Sequence, residues 1–215
     1  MLMHVEALEK HFNVGPHTIS VPRIEPAQGV EFVNHLEHKV SDQEFKRIVA
    51  VLRLAVPYTG IILSTRESPQ MRDELFNLGI SQVSAESRTN PGGYCDEDTE
   101  SSSQFCLSDS RTLDQVIASL IEKGNIPSFC AACYRKERTG ESFMNLAKPG
   151  MIKGKCSMNA LITLKEYLDD FASPEVKDKG YVLIRELKDK LNVEDKVLVE
   201  NFFAGIDKGK RDDFV

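Results

Sequence analysis

Three thiols carry the most specific chemistry in this 215-residue sequence: Cys130 and Cys133 enclose Ala131-Ala132, and Cys156 follows after 22 further residues. Arg135, Lys136, Arg138, Lys148, Lys153 and Lys155 lie between them, and neighbouring cations favour thiolate over thiol. Gly140, Gly150 and Gly154 let backbone approach a bulky centre. Four readings compete. The cysteines can be small packing residues. A structural zinc wants four closed ligands, yet only three cysteines cluster and no histidine follows His38. A redox dithiol usually opens a helix in a βαβ unit, and Cys156 would be surplus to it. An iron–sulfur cube held by three thiolates keeps one iron open to another ligand. The spacing suits the last reading without excluding the others.

Cys95 and Cys106 lie eleven apart without basic or histidine neighbours, so a packing or incidental role is expected. Five cysteines, an odd number, fit a reducing compartment, and the cytoplasm is the expected location. The net charge of −6 argues against a dedicated nucleic-acid binder. The longest apolar runs, residues 48–52 and 58–63, are too short to span a bilayer.

The elements that must position these residues alternate. Leu2, Val5, Leu8 and Phe12 predict a helix from residue 1 to 12, and residues 18–21 a strand stopped by Pro22. Ser41 and Glu44 spell a capping box before the stripe Phe45, Ile48, Val49, Leu52, Val56. Residues 59–65 read as a strand buried on both faces. Ser68-Pro69 opens a helix closed by Gly79, and residues 80–84 form another strand. Short links between alternating elements imply parallel strands with right-handed crossovers. The polar residues after each strand, at 20–23, 64–67 and 84–88, then lie at carboxyl ends, where such folds bind ligands. Arg66 stands there with a guanidinium able to take a substrate carboxylate bidentately. Residues 95–110 form an acidic, serine-rich loop. Helices are expected at 112–122, 160–171, 173–191 (with Gly180 a weak spot) and 193–204.

Residues 15–23, with Met3-His4 and Leu8-Glu9, resemble the later barrel portion of the radical-SAM tyrosine lyases. Residues 64–67 and 87–94 and the closing Gly209-Lys210-Arg211-Asp212 are also similar to that family. The three-cysteine pattern resembles its FeFe-hydrogenase maturase branch, whereas the thiazole-synthesis branch lacks it. The resemblance covers essentially the whole chain. It implies an α/β fold: the C-terminal part of a radical-SAM TIM-type (β/α) barrel, about three parallel βα units over residues 1–94, then the loop and a mainly helical auxiliary-cluster domain over 111–215. It implies cleavage of tyrosine to p-cresol and dehydroglycine by a radical derived from S-adenosylmethionine. Carbon monoxide and cyanide are then collected for the hydrogenase H-cluster.

By the same resemblance, Cys130, Cys133 and Cys156 hold an auxiliary 4Fe–4S cluster carrying a labile extra iron. His4 contacts that iron, although on the residues alone it reads as a helix-surface histidine. Arg66 holds the tyrosine carboxylate with help from Ser84. Arg23 contacts S-adenosylmethionine or a barrel carboxylate. His17 packs or caps at a strand start, and His11, His35 and His38 are solvated. Implied partners are tyrosine, S-adenosylmethionine, cysteine or another small ligand on the open iron, and other hydrogenase maturation proteins, with neither nucleic acid nor membrane.

Radical-SAM enzymes hold a further 4Fe–4S cluster in a Cys-x3-Cys-x2-Cys loop, which this sequence lacks, and three βα units fall short of eight. The expectation is therefore the C-terminal part of a longer enzyme, inactive by itself. The alternative is a stand-alone, non-catalytic metal-binding or scaffold module holding an iron–sulfur cluster or zinc.

Overall fold

The computed structural model describes residues 1–26, 29–90, 93–94 and 107–215. The chain forms two compact units, Met1–Leu113 and Asp114–Val215.

In the first unit, helix α1 (Leu2–Phe12) precedes strand β1 (Thr18–Ser20). A 3-10 turn (Glu31–His35) and helix α2 (Asp42–Ala55) lead to β2 (Gly60–Leu63), and α3 (Pro69–Phe76) leads to β3 (Gln82–Val83). The strands form one parallel sheet in the order β1-β2-β3, with Ile19 beside Ile61 and Leu63 beside Val83. Local signals start both crossover helices. The Ser41 hydroxyl accepts from the Glu44 amide at 3.3 Å while the Ser41 amide donates to Glu44 Oε2 at 2.8 Å. Ser68 caps α3 with Pro69 behind it.

Ile61 and Leu63 are buried with Phe45, Val49 and Leu52 of α2 and Met71 and Leu75 of α3. Ile62, between them, is only half-buried. The two-sided burial expected for β2 is thus corrected: both crossover helices pack on the Ile61/Leu63 face, and among the described residues the Ile62 face has no such cover. Arg53, near the end of α2, donates to the carbonyls of Thr59 at 2.7 Å and Gly79 at 2.7 and 3.0 Å. That fastens the turns before β2 and β3.

The second unit is helical. Helix α4 (Leu113–Glu122) bridges into it, followed by the one-turn α5 (Ala132–Arg135), α6 (Gly140–Ala147), α7 (Lys153–Asp170), α8 (Pro174–Asp189) and α9 (Val193–Ile206). Helix α7 packs against α8 and α9. Its Leu161, Leu164 and Leu168 are buried with Ile117 and Ile121 of α4, Ile184 of α8 and Val199 of α9. Gly180, weak in helix propensity, is also a close contact: a Cβ there would stand 2.5 Å from Leu168 Cδ2. No helix among the described residues is long and apolar enough to cross a membrane.

Candidate functional site

At the carboxyl ends of β1 and β2 stands an ionic cluster. Arg23 pairs with Glu67 through Nε and Nη2, donates from Nη1 to Asp42 Oδ1 at 2.6 Å and to the Val40 carbonyl at 3.3 Å, and lies over the Phe45 ring. Glu67 is 2% exposed. Arg23 is thus engaged by two carboxylates of its own unit. Its donors are engaged by the chain's own groups, so a contact to S-adenosylmethionine through Arg23 does not follow from it. Burial, then the charge of Glu67, pushes the nearby Glu25 carboxyl up, while Arg23, Lys39 and Arg66 pull the other way. Arg66 therefore belongs to the same electrostatic neighbourhood. It lies three residues after β2, half-buried, with its amide donating to the Ser64 hydroxyl. A cavity of about 560 Å³ adjoins this cluster, lined by Val21, Arg23, Glu25, His38, Phe45 and Ile48.

Ser84 follows β3. Its amide donates to the Leu63 carbonyl at 3.2 Å, and its own carbonyl accepts from Arg72. Arg72 is a residue the sequence reading missed. It lies in α3, 1% exposed, and pairs with Asp109, equally buried. Asp109 also takes Arg111 Nη2 at 2.7 Å. Burial pushes the Asp109 carboxyl up, but the bonds from Arg111 and the charge of Arg72 outweigh that and hold it below the usual aspartate range. The amides of Ser108 and Asp109 donate to the Thr65 carbonyl, at 3.1 and 3.0 Å. The buried pair thus ties this stretch, through Arg72, to the Ser84 carbonyl after β3, and the two amides tie it to Thr65 after β2. Such a pair across 37 residues leaves no local pattern in a sequence.

In the second unit, α7 organises the cysteines. It begins seven residues earlier than expected, so Cys156 lies in its first turns, its amide bonded to the Ile152 carbonyl at 3.0 Å. Thr163, further along α7, accepts from the Phe129 amide at 3.1 Å and so holds the chain just before Cys130. Cys130 Sγ accepts from the Ala132 amide at 3.4 Å, and α5 carries Cys133. Cys130 and Cys156 are exposed and Cys133 is half-buried. The expectation that nearby cations favour thiolates is corrected. Withdrawal of the sulfur from water and the charge of neighbouring cysteines push the Cys133 and Cys156 thiols up, and Arg138 opposes without prevailing. The mutual influence places the three thiols in one neighbourhood. They are not yet a ligand set, however: among the described residues, no three His, Cys, Asp or Glu side chains stand ready to hold a metal ion.

His4 is exposed in the first turn of α1, in the other unit. His17 Nδ1 lies 3.3 Å from the Thr18 hydroxyl at the start of β1. Cys95 and Cys106 lie outside the described residues.

The architecture is that of a partial (β/α) barrel followed by a helical unit that presents three thiols. A sequence profile for the biotin and thiamin synthesis associated domain matches residues 20–126. The chain is 35% identical over 125 residues to a 2-iminoacetate synthase of Salmonella typhimurium, across 58% of this chain and 32% of that protein, and 34% identical over the same shares to one of Escherichia coli. A crystal structure of HydG, a maturase of the FeFe-hydrogenase, superposes with a TM-score of 0.92 and 43% identity over 99% of this chain and 46% of the other. HydG from Carboxydothermus hydrogenoformans gives 0.73 and 41% over 94% and 42%. The chain is a relative of HydG, and the likeness is to the C-terminal portion of that protein. It spans less than half the length of the solved relatives and matches about a third of the 2-iminoacetate synthases.

Proposed function

We propose that this chain is the C-terminal part of a HydG-type radical-SAM tyrosine lyase, the enzyme that cleaves tyrosine to p-cresol and dehydroglycine and delivers carbon monoxide and cyanide toward the hydrogenase H-cluster. The observation that carries this reading is the likeness to HydG over 99% of the chain, thiol-bearing unit included. Cys130, Cys133 and Cys156 would hold the auxiliary 4Fe–4S cluster. The donor set fits it: three soft sulfurs in one neighbourhood, two of them exposed, one already accepting a backbone N–H, and among the described residues no fourth cysteine beside them. Bound there, the cluster would supply an iron open to small ligands, and His4 would serve as a ligand to the extra iron.

The chain's own residues bind and orient. Arg66 meets the tyrosine carboxylate in the bidentate mode of a guanidinium, and Ser84 supports it from the next strand end. The buried Arg72–Asp109 pair keeps both strand ends in place. S-adenosylmethionine and its own 4Fe–4S cluster belong to the Cys-x3-Cys-x2-Cys loop that this sequence lacks. Given tyrosine, S-adenosylmethionine and a reductant, the chain by itself is expected to release no p-cresol, and its detection would overturn that expectation.

Anaerobic reconstitution with ferrous iron and sulfide tests the cluster. About four irons with matching sulfide per chain supports the reading. One zinc and no iron would replace it with a stand-alone metal-binding module.

A further inference from the structure

The closing Gly209-Lys210-Arg211-Asp212 and the three residues after it fold back along the thiol-bearing unit. Arg211 makes the turn: Nε and Nη2 donate to the two Asp170 carboxylate oxygens at 2.6 Å each, and Nη1 donates to the Ile206 carbonyl at 2.9 Å. The segment then runs toward the N-terminal end of α7. The Asp212 amide donates to Glu166 Oε1 at 2.7 Å and the Val215 amide to Asn159 Oδ1 at 2.8 Å. Asn159 is 2% exposed and lies one helical turn beyond Cys156. The same segment also grips α5. Arg135 pairs with the Asp212 carboxylate, and Arg135 and Lys136 stand 5.7 and 5.3 Å from the centroid of the Phe214 ring.

Two features argue that this placement matters. Helix α5, which carries Cys133, has four residues and no side-chain cap. A single turn does not hold its own conformation or place, so tethers from elsewhere must locate it. Asp212 has φ 67°, the left-handed region, as does Gly209 at 87°. Aspartate tolerates that region better than most residues, yet it remains unfavourable. An outlier kept by surrounding bonds invites a functional account.

We propose that residues 209–215 form a strap that sets the separation of Cys133 on α5 from Cys156 on α7. Asp212, Phe214 and Asn159 are then positioning residues for the three-thiol site. This rests on the reading that the thiols hold an iron–sulfur cluster.

The test uses the chain reconstituted anaerobically with ferrous iron and sulfide. It reads iron per chain, the rate of iron release to a chelator, and helicity by circular dichroism. The variants are Asp212→Asn, Arg135→Gln, their double, and Phe214→Ala. Lys188→Ala, which breaks the exposed Lys188–Glu200 pair between α8 and α9, is the control. Wild type and Lys188→Ala should release iron alike. Asp212→Asn and Arg135→Gln should each release it about three- to fivefold faster at unchanged helicity, the scale of one exposed ion pair. The double should be no faster than the worse single, because both remove one interaction. Phe214→Ala should also be faster. Release at the wild-type rate from all variants overturns the strap. So does iron loss that merely follows loss of helicity in Asp212→Asn. Failure of wild type to take up iron sinks the cluster reading itself, an outcome separate from either.

Discussion

Replacing Asp109 by alanine removes one side of a pair in which Arg72 is 1% exposed and the Asp109 side chain fully buried. What remains is a buried guanidinium whose Nη2 still reaches the Ser84 carbonyl while its Nε has no hydrogen-bond partner among the described residues. Breaking a buried pair from one side costs about 3–5 kcal/mol, because an uncompensated charge is left behind. A single unit has only about 5–15 kcal/mol in total. With a urea slope of about 2 kcal/mol per M, the unfolding midpoint of the first unit should fall by roughly 2 M. Two compact units need not unfold together, so the assay must be local: hydrogen exchange of the β2 amides across a urea series, read by mass spectrometry. The double variant Arg72→Met/Asp109→Leu should recover most of the loss, since an apolar pair of similar volume leaves no stranded charge. The Asp109 carboxyl titrates below its unfolded value of about 3.9. Its contribution is therefore complete above that pH and is lost as pH falls through the lower folded value. A shift under about 1 kcal/mol for Asp109→Ala would refute this, as would a double variant as unstable as the single, because both follow from burial of the charge.

Other outcomes follow from the same geometry. Changing Cys130, Cys133 or Cys156 to serine should each cut reconstituted iron well below about four per chain, while Cys95→Ser should not. If Arg66 takes the tyrosine carboxylate as proposed, Arg66→Ala should weaken tyrosine binding on the order of tenfold to a hundredfold by calorimetry, with Arg66→Lys recovering only part, since an ammonium cannot reproduce the planar fork. Gly180→Ala should lower the melting temperature of the second unit despite a gain of about 1 kcal/mol in helix propensity, because overpacking against Leu168 costs about 1–3 kcal/mol. Ser41→Ala should destabilise the first unit by about 1 kcal/mol through loss of the capping box, read as a lower melting temperature.

Elements whose signals are local were legible. The Ser41/Glu44 box, Ser68-Pro69 and the dense run around Ile61 each announce an element within a few residues, and the parallel order follows from the short links between them. Helices α5 and α6 and the early start of α7 were not. Their boundaries lack side-chain caps, and Gly154 and the lysines around it look like loop while lying inside the first turn of α7. The β2 burial was misjudged because a run of apolar residues does not reveal how many faces are covered.

The site divides in the same way. Residue type and strand end singled out Arg66 and Ser84, but the cations around them can be sorted only in three dimensions. Arg23 is engaged with Glu67 and Asp42, and Arg72 with Asp109, partners 19 to 44 residues away. The substrate reading accordingly rests on Arg66 and Ser84, with the other two arginines as their frame. The cysteines show the complementary case. Their spacing was plain, and the six cations between them suggested ready thiolates. In the folded chain those cations are distributed over α5, α7 and turns, and Arg138 alone does not offset burial and mutual repulsion. Thiols held up in this way stay protonated until a metal displaces the proton, so uptake of iron should release protons and tighten as pH rises. On the proposed reading, the elements that hold α5 against α7 would then decide whether three sulfurs can close on one centre.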